Sequence, residues 1–342
     1  MIERIGQRTL RFAGQPVLLS HAAAVGKKEG EGPLGSRFDF VAENDRMGQK
    51  SWELAESELQ KTAIRRALDK GGVRGEELDA VLAGDLLNQC IGSFLASMHS
   101  NVPYLGQYGA CSTMAQGLAL GACLVEGGAA RRALAAASSH FCSAERQYRF
   151  PLAYGGQRTP TAQWTATAAG AAVLTAPSYA PAGEGLRITH ALFGKMVELG
   201  VTDANNMGAA MAPAAYDTLC ALLNDLHAAP CDFDCIVTGD LGRVGADLLL
   251  TLLREDGIDL SPVYSDCGSL LFSDGQDTHA GGSGCGCSAA VLCGPLLRDM
   301  REGKLRRLVF AGTGAMMSPT SVQQGQPIAG ICHAVVIERS GA

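Results

Sequence analysis

Charge is scarce in this 342-residue chain: 18% of its residues are Asp, Glu, Lys or Arg, and the formal net charge is -6. No basic block and no basic stripe interleaved with aromatics occurs, which argues against a nucleic-acid partner. Long hydrophobic runs are missing too. Glycine, serine or charge interrupts each apolar stretch before it reaches the ~18 residues that read as a membrane-crossing helix. The first ten residues carry Glu3, Arg4 and Arg8 and lack the apolar centre of a signal peptide. The chain is therefore expected to be made in the cytosol and to be at most peripheral to a membrane. Zinc-ligand spacing is also lacking. Of the 12 cysteines, Cys231 and Cys235 lie four apart and Cys285 and Cys287 two apart, but neither pair has a partner pair or histidine at the required interval. The others sit mostly in apolar runs (Cys123, Cys220, Cys293) or beside glycine (Cys267), and read as reduced small hydrophobes rather than a disulfide framework.

What remains is an ordinary globular composition, 47% hydrophobic with 43 glycines, in a chain long enough for two domains. The pattern is internally repeated. Val81-Leu82-Ala83-Gly84-Asp85-Leu86 returns as Ile236-Val237-Thr238-Gly239-Asp240-Leu241. A helix is predicted before each copy, over Trp52 to Lys70 and Ala214 to Leu226. Each copy also precedes a helix that ends in Glu-Gly (Glu126-Gly127, Glu302-Gly303) and leads into an apolar strand, Arg131 to Ala137 and Arg307 to Ala311. Both halves close on a further strand, Thr167 to Leu174 and Ala334 to Glu338. The same order of elements twice marks a duplicated unit. A turn-rich connector over 176–183 puts the boundary near 180, giving halves 1–180 and 181–342. Alternating strands and helices predict a mixed sheet covered by helices in each half, with the functional site between them.

Gly109-Ala110-Cys111-Ser112-Thr113 is the strongest local signal. It lies between a predicted strand, Val102 to Tyr108, and a predicted small-residue helix, Met114 to Glu126. A cysteine entering a helix N-terminus meets unpaired N–H groups and the positive end of the helix dipole, which lower a thiol pKa and can also hold an anion. The glycine string Gly281-Gly282-Ser283-Gly284 lacks a following Gly-Lys-Ser and reads as close backbone packing at a helix start rather than as a phosphate loop. Asp85 and Asp240, both after strand-end glycines, suggest a shared turn or cap role.

The Gly-Ala-Cys-Ser turn and the Gly281 to Ala289 segment resemble the thiolase superfamily over nearly the whole chain. The resemblance implies a five-layer αβαβα fold of two similar halves. Gly32-Pro33-Leu34-Gly35, Gly84 to Gln89, Ser138-Ser139-His140, Ala144 to Gln147, Tyr154 to Gln157 and Met207 to Ala215 are similar to the stage V sporulation protein AD family. That resemblance implies a spore protein that binds dipicolinic acid (pyridine-2,6-dicarboxylate), alone or with calcium, and supports its uptake into the forespore and its release at germination. It also implies partner proteins of the stage V sporulation A membrane assembly, a peripheral place at the spore inner membrane and a homodimer, and no other cofactor.

The residues leave two functional classes open. A thiolase needs a nucleophilic cysteine and an activating histidine. Cys111 is in place, but no histidine stands at the family's Gly-His-Pro position, where Ser283 is the nearest match. His333 is the histidine that could reach Cys111 in an acyl-transfer enzyme. A planar dicarboxylate instead asks for paired donors on both sides of a ring, which arginine forks and helix N-termini supply. The candidates are Cys111, His140, Arg146, Arg149 and His333, with Arg158 also in reach and Tyr148, Phe150 or Tyr154 as an aromatic wall. Each has a plainer role open to it: an ion pair with Glu145 for the arginines, a polar cap for His140, a core position for His333. Asn88 and Gln89 could line the pocket or a subunit contact.

Overall fold

The computed structural model describes residues 1–148, 158–181, 183 and 185–340. Ten strands form the spine of a 13-stranded sheet. In the first half they are β1 (Val17–Val25), β2 (Ala80–Gly84), β3 (Tyr104–Gly106), β4 (Arg132–Ser139) and β5 (Ala168–Thr175). In the second they are β6 (Gly185–Leu192), β7 (Cys235–Thr238), β8 (Tyr264–Asp266), β9 (Arg307–Met316) and β10 (Ala329–Ser340). Their order is β8-β7-β9-β10-β6-β1-β5-β4-β2-β3, which reads the same from either end once each strand is exchanged for its counterpart. The directions repeat as well. β2 is parallel to β3 and β4, as β7 is to β8 and β9, and the next two pairings in each half are antiparallel.

The expectation of one separate sheet per half needs correcting. β1 and β6 pair through Leu18 with Leu186 and Val17 with Arg187, so the two halves share one hydrogen-bonded sheet. An unpaired strand edge inside the molecule would leave backbone groups unsatisfied, and this short antiparallel contact removes two such edges at once.

The helices are α1 (Trp52–Gly71), α2 (Ile91–Ser97), α3 (Thr113–Glu126), α4 (Phe141–Tyr148), α5 (Met207–Leu226), α6 (Gly242–Glu255), α7 (Cys285–Val291) and α8 (Leu297–Arg301). Three apolar clusters define five layers. α1 packs Leu59, Ala63 and Ala67 against one face of the first-half strands. α5 packs Met211, Leu219 and Leu222 against the outer face of the second-half strands. Between the two sets lie α3 and α7, with Leu118, Ala119, Ala122 and Ala289 sharing one cluster with Ala133, Leu174, Phe310 and Val335. Small residues on α3 (Ala115, Gly117, Ala119, Gly121, Ala122) let strands approach it closely, and most of the helix is buried.

The ends of the helices follow local chemistry. Ser51 caps α1 by accepting from Leu54 N, and Gly72 closes it in the left-handed conformation (φ 61°). α5 starts at Met207, well before the predicted Ala214, because Asn206 supplies its cap and the helix runs through Pro213. A proline there removes one helical bond; the burial of Ala210, Met211, Ala212, Ala214 and Ala215 offsets that loss. The helix ending at Arg301 before Glu302-Gly303 runs without interruption from Cys285, widened by one π-helical turn over Leu292–Leu296, which contains Pro295 and joins α7 to α8. No described helix is long and apolar enough to cross a membrane.

Candidate functional site

Cys111 sits on a sharp turn between β3 and α3. Ala110 takes a left-handed conformation (φ 48°), which is strained for a residue with a Cβ. Hydroxyls hold the turn in place. Ser112 Oγ donates to Gly109 O at 2.6 Å and Thr113 Oγ1 to Ala110 O at 2.7 Å. The second half presses directly on this turn. A Cβ at Gly314 of β9 would lie 2.6 Å from Gly109 O, so only glycine permits the contact.

Asp240, just after β7, reaches the thiol from the second half. It is fully buried. Its Oδ2 accepts from Gly284 N at 2.9 Å and Ser283 Oγ at 3.2 Å, and its Oδ1 from Thr313 Oγ1 at 2.9 Å. The Cys111 thiol lies near enough to this carboxylate for each to shift the other's protonation. Burial pushes the Cys111 thiol well above its ordinary range, and the Asp240 charge pushes it further. Burial also raises Asp240, to about 6, against the lowering effect of the polar groups around it. Near neutral pH the proton therefore rests on sulfur and the negative charge on Asp240.

This reverses the low thiol pKa expected from the helix N-terminus. Two of the amides that were to stabilise an anion are engaged within the turn: Ser112 N donates to Gly109 O and Thr113 N to Ala110 O. The turn that presents Cys111 consumes the donors, and burial beside a carboxylate does the rest.

A narrow cleft, with about 80 Å³ of space open to water, lies above Cys111. Leu86, Tyr108, Tyr148, Met207 and Met317 form its apolar walls, and Glu145, Thr165, Asn205 and Ser283 supply polar groups. The tyrosines form a relay. Tyr108 Oη lies 2.9 Å from Tyr148 Oη, which donates to Leu86 O. Burial raises the pKa of both phenols, so they stay neutral donors.

The structure brings Cys111, Tyr148 and Ser283 together, and places the other described site candidates, His140, Arg146, Arg158 and His333, elsewhere. His140 is buried beside Trp52, with Nε2 2.8 Å from Asp45 O and Nδ1 accepting from Cys142 N, so its polar atoms are spoken for. Arg146 pairs with Glu53 of α1 rather than with Glu145 and, with Asn88 and Gln89, lines a separate shallow depression. Arg149, Phe150 and Tyr154 lie outside the described residues. Arg158 donates to Asp277 O and stacks on Trp164. His333 lies within β10, not before it. Its Nδ1 accepts from Gly194 N at 3.1 Å, it packs edge-on to Phe193, and it is not among the cleft-lining residues. Burial lowers its pKa to about 4, so it is a neutral core histidine.

Sequence reasoning misses Asp240 because the repeat suggests one role for both aspartates. Asp85 keeps that role, accepting from Leu87 N and Ser93 N. The halves diverge at the next contact: Asp240 faces the Cys111 turn, a long-range pairing that no local pattern shows.

A family model described as stage V sporulation protein AD matches residues 6–338. The chain belongs to the stage V sporulation protein AD family. It is 44% identical over 336 residues to the stage V sporulation protein AD of Bacillus subtilis (strain 168), covering 98% of each chain. Solved structures show that the family has the thiolase fold. A crystal structure of a variant of Xanthomonas campestris OleA matches with a TM-score of 0.60 at 16% identity, covering 98% of this chain and 99% of that one. The 3-oxoacyl-[acyl-carrier-protein] synthase III of Aquifex aeolicus VF5 matches with a TM-score of 0.57 at 13% identity, covering 94% and 99%. At such identities the likeness concerns the fold alone, and in this sporulation-family chain the groups facing the thiol are a carboxylate and a hydroxyl.

Proposed function

We propose that this sporulation protein binds dipicolinic acid in the cleft above Cys111 without covalent chemistry, and thereby supports its passage into the forespore and its release at germination. What carries this reading is the buried Cys111 thiol set beside the fully buried Asp240 carboxylate. A cysteine nucleophile must become a thiolate, and here both burial and the adjacent charge oppose it. No histidine lines the cleft among the described residues. What the cleft offers is a recognition surface: apolar walls for a flat ring, with Tyr108, Thr165, Asn205 and Ser283 as hydrogen-bonding partners.

The described lining contains the carboxylate Glu145 and no lysine or arginine. A calcium chelate, with its carboxylates already neutralised, enters such a lining at lower electrostatic cost than the free dianion. We expect calorimetric titration to show saturable binding of dipicolinate, stronger with equimolar calcium than with EDTA, and none of benzoate or acetyl-CoA. Cys111→Ala, which removes the group on the cleft floor, should weaken binding roughly ten-fold. Acyl transfer from acetyl-CoA to Cys111 without dipicolinate binding would instead make the chain an acyltransferase.

The protein would be held at the spore inner membrane by partner subunits of the stage V sporulation A assembly. We also propose a homodimer through β3. This edge strand lies in a stretch, 86–125, with no Asp, Glu, Lys or Arg. Sheet edges are commonly guarded by charge. Here Leu105 is 46% exposed on the edge itself, with Phe94 and Met98 exposed nearby. A neutral, apolar edge suits a second copy of itself. Light scattering should show a dimer that Leu105→Lys converts to monomer; a wild-type monomer would refute the assignment.

A further inference from the structure

A cationic depression lies where the start of β1 meets the last turn of α1 and helix α8. Leu19, Ser20, His21, Lys70, Arg298 and Arg301 line it, and none of these lines the cleft at Cys111. Its floor is built around an irregularity. The β1–β5 register shifts between Leu18 and Ser20. Arg301 Nη2 donates to the Leu18 and Leu19 carbonyls there, at 3.1 and 2.8 Å.

The remaining bonds of Arg301 fix the charge of the depression. Its Nε donates to His21 Nε2 at 3.0 Å, while His21 Nδ1 lies 2.5 Å from Cys293 O. A carbonyl can only accept, so the imidazole proton is on Nδ1 and the ring is neutral. Burial and the neighbouring Arg301 charge keep it so. Among the described residues Arg301, an exposed side chain at the rim of the depression, thus has no acidic partner, and its Nη1 makes no hydrogen bond to them. Asp39 is the carboxylate at hand. It is shared by Lys70 at 2.5 Å and Arg298 at 3.5 Å, and its other oxygen accepts from Ala23 N. Asp299 on α8 is occupied by Arg37 and Lys304. Three fixed positive charges therefore face one negative charge, in a protein whose overall charge is negative.

We propose that this depression is a binding site for a phosphate group, free or as a phospholipid headgroup. Three cationic side chains, Lys70 of α1 and Arg298 and Arg301 of α8, line it. A tetrahedral oxyanion offers acceptor oxygens in as many directions, whereas a planar carboxylate suits a single arginine fork. The proposal does not rest on the dipicolinate reading, since it uses no residue of the Cys111 cleft.

The test is calorimetric titration of the full chain with inorganic phosphate at constant ionic strength against chloride. The comparison is a Lys70→Gln, Arg298→Gln double variant, which leaves Arg301 and its strand contacts intact, with circular dichroism to confirm its fold. Saturable phosphate binding, weakened roughly ten-fold or more in the double variant and unchanged in Cys111→Ala, is the expected result. Sedimentation with vesicles then separates the two sources. Retention on phosphatidylglycerol but not phosphatidylcholine, lost in the double variant, assigns the headgroup; phosphate binding without vesicle retention assigns the free anion. Phosphate behaving as chloride does, equal binding by the double variant, or loss of binding in Cys111→Ala would each overturn the proposal.

Discussion

Replacing Asp240 with alanine is expected to destabilise the protein by about 3 kcal/mol and to abolish ligand binding in the Cys111 cleft. The carboxylate is the common acceptor for Gly284 N, Ser283 Oγ and Thr313 Oγ1. The hydroxyls can turn to other partners. The Gly284 amide is fixed in the backbone and would be left buried and unpaired. These donors come from β9 and from the segment entering α7, so their loss loosens the cleft floor. Asp240→Asn separates charge from shape. It keeps an acceptor for Gly284 N, costs less stability, and removes the charge that helps hold the thiol neutral. Its Cys111 should therefore alkylate at lower pH than in the parent, read by mass spectrometry across a pH series. An unchanged alkylation profile would show that burial alone sets the thiol pKa. Urea unfolding measures the stability difference, and retained stability in the alanine variant would contradict the carboxylate's central role.

A second large effect is a loss of stability as pH rises above about 6.5, most of which Glu29→Gln should suppress. Glu29 is fully buried beside β5. Its Oε1 accepts from Thr167 N at 2.9 Å, while Oε2 has no partner among the described residues. Burial raises its pKa to about 8, from 4.5. The folded state therefore holds a proton that the unfolded state has already lost, and stability falls as pH rises between these values. Below 6.5 the buried His21 and His333, both lowered to about 4, act in the opposite sense. The unfolded chain binds their protons there, so acid costs stability. At pH 6.5 the unfolded-state histidines are still half-protonated and oppose the fall until about pH 7.5; Glu29→Gln carries the same histidines, so the difference between the two proteins reports Glu29. From pH 6.5 to 8 the Glu29 contribution is about 2 kcal/mol. Glu56, raised by burial and by Asp85, adds in the same direction. Urea unfolding at pH 6.5 and 8.0 should show the fall in the parent and a flatter response in Glu29→Gln. Parallel responses would mean that Glu29 is ionised in the folded state.

The candidate site is only partly legible from the residues. Cys111 is visible because a strand, a tight turn and a small-residue helix leave a local signature. Ser283 is visible only as an oddity, a serine where the superfamily resemblance leads one to look for histidine. Arg146 and His140 are drawn to the site by proximity in sequence, since α4 does border the cleft. A helix has more than one side, however. Ala144, Glu145 and Tyr148 face the cleft, while Arg146 extends to Glu53. With so short a helix and no partner surface known, the side of each residue is undetermined by sequence.

The duplicated unit, the small-residue central helix and the reactive-looking turn are all readable from order and spacing, because each depends on residues near one another along the chain. The sharing of one sheet by both halves, the engagement of the α3 amides within the turn, and the approach of Asp240 to Cys111 are decided by tertiary structure. The first and last of these join residues far apart in sequence, and the second depends on the exact path of the turn. Whether a thiol is a nucleophile or a neutral donor is set by burial and by the charge placed against it. For Cys111 the charge comes from the opposite half of the molecule, and the burial is complete only once the two halves have closed around it.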